Sequence, residues 1–140
     1  MARPPTTNDV RAAFDAEVEH IRSARELVAE TLTAHGWPSA AVDRARLVVS
    51  ELAANAVLHA RTPFELRCSI PAALQARLEV TDWAPQTVPQ MRALDRSAPG
   101  GMGLRLIAAM TSEWGVDEHP ECKVVWCHMN AADGWGTTSP

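Results

Sequence analysis

The sequence predicts an α+β domain, a two-layer sandwich in which a mixed, mainly antiparallel sheet carries its helices on one face. Three observations predict it. Apolar residues recur at helical spacing in two early stretches, Ile21 to Leu32 and Val42 to Ala56. Phe64, Leu66, Cys68 and Ile70 then alternate with Glu65, Arg67 and Ser69, the period of a half-buried strand. Helices and strands come in blocks rather than in strict alternation, which favours helices gathered on one side of a sheet over a parallel βαβ array. The 140 residues suffice for one domain with its own hydrophobic core.

The elements follow in order. Residues 1–9 (MARPPTTND) are rich in Pro and Thr and are expected to form a disordered or extended tail. The folded unit is expected over residues 10–130, and residues 131–140 form a polar, Gly-containing, flexible tail. Val10 to Phe14 fits a short edge strand; Asp15 suits an N-cap, with Glu17, Glu19 and His20 in the first turns of the helix that follows. Gly36 and Pro38 end that helix. Ser39 is the next plausible cap, and Ala40 to Ala60 reads as a second helix without an internal Gly or Pro. After the Phe64 strand, a Pro71 to Gln75 turn leads to Leu78, Val80 and Asp82, alternating with Arg77, Glu79 and Thr81, so an antiparallel pair is the simplest arrangement. Residues 83–101 hold Pro85, Pro89, Pro99 and Gly100 without a clear period and predict a long irregular loop. Gly103 to Met110 predicts a short third helix, and Trp114 to Asp117 and Lys123 to Asn130 the last two strands.

Charge and composition exclude several functions. The formal charge of −4 lacks the basic balance that nucleic-acid binding would favour. Twelve of the 13 basic residues are arginine, with Lys123 the only lysine. A P-loop needs a lysine before Ser or Thr, and a eukaryotic-type kinase needs one on its third strand, so neither fits. Phosphates would have to be met by arginines, backbone amides and a metal ion. Cys68, Cys122 and Cys127 are odd in number, and no secretory or membrane-spanning apolar run is present, so a reduced, cytoplasmic protein with no membrane segment is expected.

Three segments could carry chemistry. Glu51, Asn55 and His59 recur at every fourth position of the second helix and would line one stripe roughly 12 Å long. The stripe is either solvated, or a carboxylate and an amide oxygen suited to magnesium or to orienting a hydroxyl nucleophile. Asp82 ends an inward strand face. It is either a structural carboxylate bonded to loop amides or an acceptor for the exocyclic amine of a purine. Gly101-Met102-Gly103-Leu104 precedes a helix, as a simple loop or as a backbone cradle for an anion. It does not follow a strand directly and is a poor dinucleotide fingerprint. His119, Cys122, Cys127 and His128 suggest zinc, but adjacent Cys127 and His128 in a strand would point to opposite faces. Cys68 falls among core positions.

In combination and in order, these segments resemble the boxes of the GHKL (Bergerat) ATP-binding fold of histidine kinases, gyrase-type ATPases and chaperones of the heat-shock-90 type. Glu51-Leu-Ala-Ala-Asn55-Ala-Val-Leu-His59-Ala60 resembles the N box, Asp82-Trp-Ala-Pro85 the first glycine box, and Gly101-Met-Gly103-Leu104 the second. Trp114-Gly115 and Lys123-Val-Val-Trp126 also match the pattern of the small anti-sigma-factor serine kinases and their actinobacterial relatives. The resemblance spans about residues 10–130.

It implies ATP with adenine on Asp82 beside Ala84, Mg²⁺ on Asn55, and the triphosphate near Gly101, Met102, Gly103 and Leu104. Glu51 would activate the serine hydroxyl of a protein substrate. The partner would be an anti-anti-sigma protein competing with a sigma factor, and a homodimer is expected because such relatives are often dimers. Arg92, Arg96 and Arg105 either meet phosphate charge or are solvated. Three positions depart from the pattern: Ala84 where glycine is usual, Val124 where a hydroxyl could bond near Asp82, and Met102 between the glycines. Ala84 and Val124 favour a second function, a regulatory ATP-binding module that sequesters its partner without phosphoryl transfer. Lys123 is placed on the last strand away from the boxes, so Lys123→Ala is expected to change nucleotide affinity less than about threefold, under 1 kcal/mol.

Overall fold

Burial alternates along the strands and recurs every third or fourth residue along the helices, and together these patterns build two layers. The computed structural model describes residues 9–87 and 103–132. Its elements are β1 (Asp9–Phe14), α1 (Val18–Ala34), α2 (Ser39–Ala54), a π-helical segment Asn55–Ala60 continuing α2, β2 (Phe64–Ala72), β3 (Gln75–Asp82), α3 (Gly103–Met110), β4 (Glu113–Glu118) and β5 (Lys123–Asn130). The sheet order is β1-β2-β3-β5-β4.

Every neighbouring pair is antiparallel, so the sheet is not mixed. The connection from β1 to β2 is long enough for a parallel crossover. Two helices in succession instead return the chain to the end at which β1 finishes, where Phe14 pairs with Phe64. The connection from β3 through α3 leads to the edge strand β4, and β5 turns back between β4 and β3.

The core lies between the helices and one sheet face. Ala24, Val28 and Leu32 of α1 and Ala45, Val48, Val49 and Leu52 of α2 are buried against Phe64, Leu66 and Cys68 of β2, Leu78 and Val80 of β3, and Val125, Cys127 and Met129 of β5. The phenyl rings of Phe14 and Phe64 stack at 5.2 Å and close one end of this layer. The other sheet face is polar. Arg67 binds Asp9 at 3.0 Å and Arg77 binds Glu79 at 2.9 Å, and the Arg77 guanidinium lies 4.5 Å over the Trp126 ring.

Helix ends differ from the expected caps in two places. α1 begins at Val18 after an extended Glu17. The Asp15 side chain does not cap it; the Asp15 carbonyl instead accepts from Glu17 N at 2.8 Å and from His20 Nδ1 at 3.0 Å. Ser39 is already inside α2, whose cap is Pro38, because the fixed φ of proline is compatible with the turn and its carbonyl accepts from Ala41 and Val42. Gly36 stops α1 as expected. Its φ of +82° lets Gly36 N bond Thr33 O and Trp37 N bond Leu32 O, a Schellman closure.

The folded unit extends one residue past each expected boundary. Asp9 pairs with Ser69, and buried Ala131 donates its N–H to Leu74 O at 2.8 Å. Of the expected tails, residues 1–8 and 133–140 lie outside the described residues, as does 88–101 of the predicted loop. No helix among the described residues is long and apolar enough to cross a membrane.

Candidate functional site

The second helix is continuous from Ser39 to Ala60, as expected, but its winding changes at Asn55. Asn55 N still bonds Glu51 O, four residues back, whereas Arg61 N reaches Ala56 O, five back, at 2.7 Å. Such π segments occur frequently at functional sites, where the wider turn re-aims side chains. Glu51 and Asn55 remain one regular turn apart and both are half-buried. His59 belongs to the widened turn and is exposed, so the expected three-membered stripe has two members. Desolvation pushes the Glu51 carboxyl above the ordinary carboxylate range. The Asn55 amide nitrogen is buried and has no acceptor among the described residues. An unmet buried donor costs about 1–3 kcal/mol unless a ligand supplies the acceptor.

Asp82 continues the inward column of β3 after Leu78 and Val80 and is 1% exposed. Its Oδ1 accepts from Ala84 N at 3.0 Å and from Lys123 Nζ at 2.8 Å. Lys123 Nζ also donates to Ala84 O at 2.9 Å and to Thr87 Oγ1 at 3.0 Å, so all three ammonium protons have acceptors. Lys123 is therefore not remote from the boxes, as its strand position had suggested; it pairs in register with Asp82 and is itself 1% exposed. The signal for this was in the sequence. Lys123 shares the period-2 parity of Val125, Cys127 and Met129, so it must face the helix layer with them.

The same parity corrects the reading of Val124. It pairs with Thr81 and Asp117 and faces away from Asp82, so a hydroxyl there would not serve a base site. Ala84 is also accommodated. Among the described residues only Arg61 and Leu74 are non-glycine residues with positive φ, so the turn after Asp82 does not ask Ala84 for a glycine conformation.

The structure brings these segments to one layer. β3 packs against α2 and the π segment, and α2 packs against α3. Gly103 and Leu104 open α3, and Arg105 follows in it, whereas Gly101, Met102, Arg92 and Arg96 lie outside the described residues. Cys127 and His128 do point to opposite faces. Burial pushes the Cys127 thiol up to about 12, while His128 Nδ1 meets Glu113 Oε1 at 3.1 Å on the polar face. Among the described residues no group of three or more His, Cys, Asp or Glu could hold a metal ion.

The family model of the histidine kinase-like ATPase domain matches residues 14–129. The chain belongs to that family. Its architecture is similar to a solved chain holding the RsbU and RsbW domains of Rv1364c from Mycobacterium tuberculosis, with a TM-score of 0.69 at 18% identity. That match covers 89% of this chain and 32% of the other, so this chain spans about a third of its length. Comparison with curated proteins gives no match. For a histidine kinase-like ATPase domain the ligand is ATP, and the α2–π junction, the end of β3 and the start of α3 are the segments in which the sequence resembles that fold's nucleotide boxes.

Proposed function

We propose that this ATPase domain is an ATP- and Mg²⁺-dependent serine/threonine protein kinase of the anti-sigma-factor type, which phosphorylates a small anti-anti-sigma partner and so regulates a sigma factor. The observation that carries this reading is the Glu51–Asn55 pair: a carboxylate with a raised pKa one turn before a buried amide with an unmet donor, at the point where α2 widens into a π-helix. A site that only held ATP would have no use for the carboxylate.

The residues fit the roles. Asp82 accepts the exocyclic amine of adenine. Asn55 offers its amide oxygen to Mg²⁺ and its amide nitrogen to a phosphate oxygen, which would remove the orphan donor. The described residues lack a protein cage for a metal, which suits an ion held by few protein oxygens, water and the substrate's own phosphates. When bound, Mg²⁺ supplies neutralisation of the triphosphate charge. Glu51, desolvated and so a stronger proton acceptor than a free carboxylate, takes the proton of the partner's serine as its Oγ bonds to the γ-phosphorus and the bond to the ADP oxygen breaks. Backbone amides at the start of α3 face the anion in place of a P-loop lysine. Three cysteines without disulfides fit the reducing cytoplasm.

The binding-only alternative loses the support it drew from Ala84 and Val124, because neither residue disturbs the Asp82 carboxylate. A titration with Mg-ATP tests the proposal. Wild type binds, and Asn55→Ala and Asp82→Ala each weaken binding at least about tenfold, 1.4 kcal/mol. Absence of wild-type binding at millimolar ATP removes the kinase. With binding in place, Glu51→Ala abolishes transfer to an anti-anti-sigma partner while keeping affinity; wild type that binds ATP and transfers nothing leaves the sequestering module.

A further inference from the structure

We infer that Lys123 is a positioning residue of the nucleotide site, anchoring one oxygen of Asp82 so that the other is presented to the base. The inference rests on the reading of Asp82 as the acceptor for the base amine.

A lysine has no packing reason to be here. The rest of its column, Val125, Cys127 and Met129, is apolar, and burying an ammonium is expensive unless its partners are well placed. The partners are well placed and come from one short stretch: Asp82 Oδ1, Ala84 O and Thr87 Oγ1, all between 2.8 and 3.0 Å. Thr87 and Ala84 are further tied by Thr87 N and Oγ1 to Ala84 O at 3.0 and 2.8 Å. The only lysine of the chain thus fixes the end of β3 and the turn after it to β5.

The consequence is in the lone pairs. Ala84 N and Lys123 Nζ both land on Oδ1 and use its two acceptor sites. No described residue donates to Oδ2. The carboxylate is held by one oxygen, with its charge already balanced by the ammonium. The group that fits Oδ2 is a neutral N–H donor, such as a purine amine, because a cation would find the charge already matched.

The test compares ATP with purine riboside triphosphate, identical but for the missing amine, by titration calorimetry at constant Mg²⁺. Wild type prefers ATP by about tenfold, the worth of one hydrogen bond to a charged acceptor. In Lys123→Met the preference falls to within about twofold, through loss of ATP affinity, while affinity for the analogue changes less than about threefold. A merely structural role would weaken both ligands equally, and that result overturns the inference, as does an unchanged preference. Thr87→Val removes one ammonium acceptor without stranding a charge and is the deciding variant if Lys123→Met fails to fold by circular dichroism. It lowers the preference part-way, and an unaltered preference refutes the role. Wild type that binds neither ligand, or both equally, instead refutes the reading of Asp82 on which the inference stands.

Discussion

Breaking the Lys123–Asp82 pair should destabilise the fold by far more than an ordinary surface ion pair. Both side chains are essentially buried, at 1% and 2% exposure, and 2.8 Å apart. Solvent screening, which limits exposed pairs to about 0–1 kcal/mol, is absent here. Lys123→Met leaves a buried carboxylate without its counter-charge, and takes from Thr87 Oγ1 its ammonium donor and from Ala84 O one of its three donors. Loss of one partner of a buried pair costs about 3–5 kcal/mol. With a urea slope of about 2 kcal/mol per molar, the unfolding midpoint falls by roughly 1.5–2.5 M. Asp82→Asn strands the ammonium and is expected to cost a similar amount. The double variant removes both charges and should lose about 2–3 kcal/mol less than the sum of the two single losses, the coupling read from a double-mutant cycle followed by circular dichroism. Additive losses, or a single loss below about 1 kcal/mol, would refute the view that the pair is a desolvated, mutually dependent unit.

Glu51 gives a pH-dependent prediction. Desolvation makes the folded chain hold the Glu51 proton more tightly than the unfolded chain, so folded molecules bind more protons and stability falls as pH rises from the ordinary 4.5 through the raised folded value. Glu51→Gln should match wild-type stability below that window and exceed it above; a gap that stays constant across the urea–pH series contradicts this. Gly115→Ala would place a Cβ 2.6 Å from Cζ2 and 2.8 Å from Cε2 of Trp126, its cross-strand partner. Arg77 lies over the same ring, so the indole cannot shift without disturbing that contact, and a loss of about 1–3 kcal/mol with altered tryptophan emission is expected. An unchanged melting temperature would show the polar sheet face to be slack.

Much of the fold was legible because periodicity is local. The alternation from Phe64 to Ile70 and from Leu78 to Asp82 gave the hairpin, and Gly36 gave the end of α1, since only a residue at ease with positive φ closes that motif. Asp15 misled because a good capping residue is only a preference, and here its backbone carbonyl was used instead. The widening at Asn55 left no local mark, since Asn55 to Ala60 contains nothing that disfavours an ordinary α-helix strongly enough to betray it.

The sequence by itself determined the α+β layering and singled out Glu51, Asn55 and Asp82 as candidates, because both depend on residue type and on position along one element. Tertiary structure alone decided what those groups meet. Whether Asp82 faces a solvated loop or a buried ammonium depends on the pairing of β3 with β5, forty-one residues apart. A register is set by the burial of whole strand faces together, so the partner of one carboxylate is fixed only when the sheet is. The same holds for Asn55, whose amide nitrogen is buried without an acceptor among the described residues only once the chain is folded.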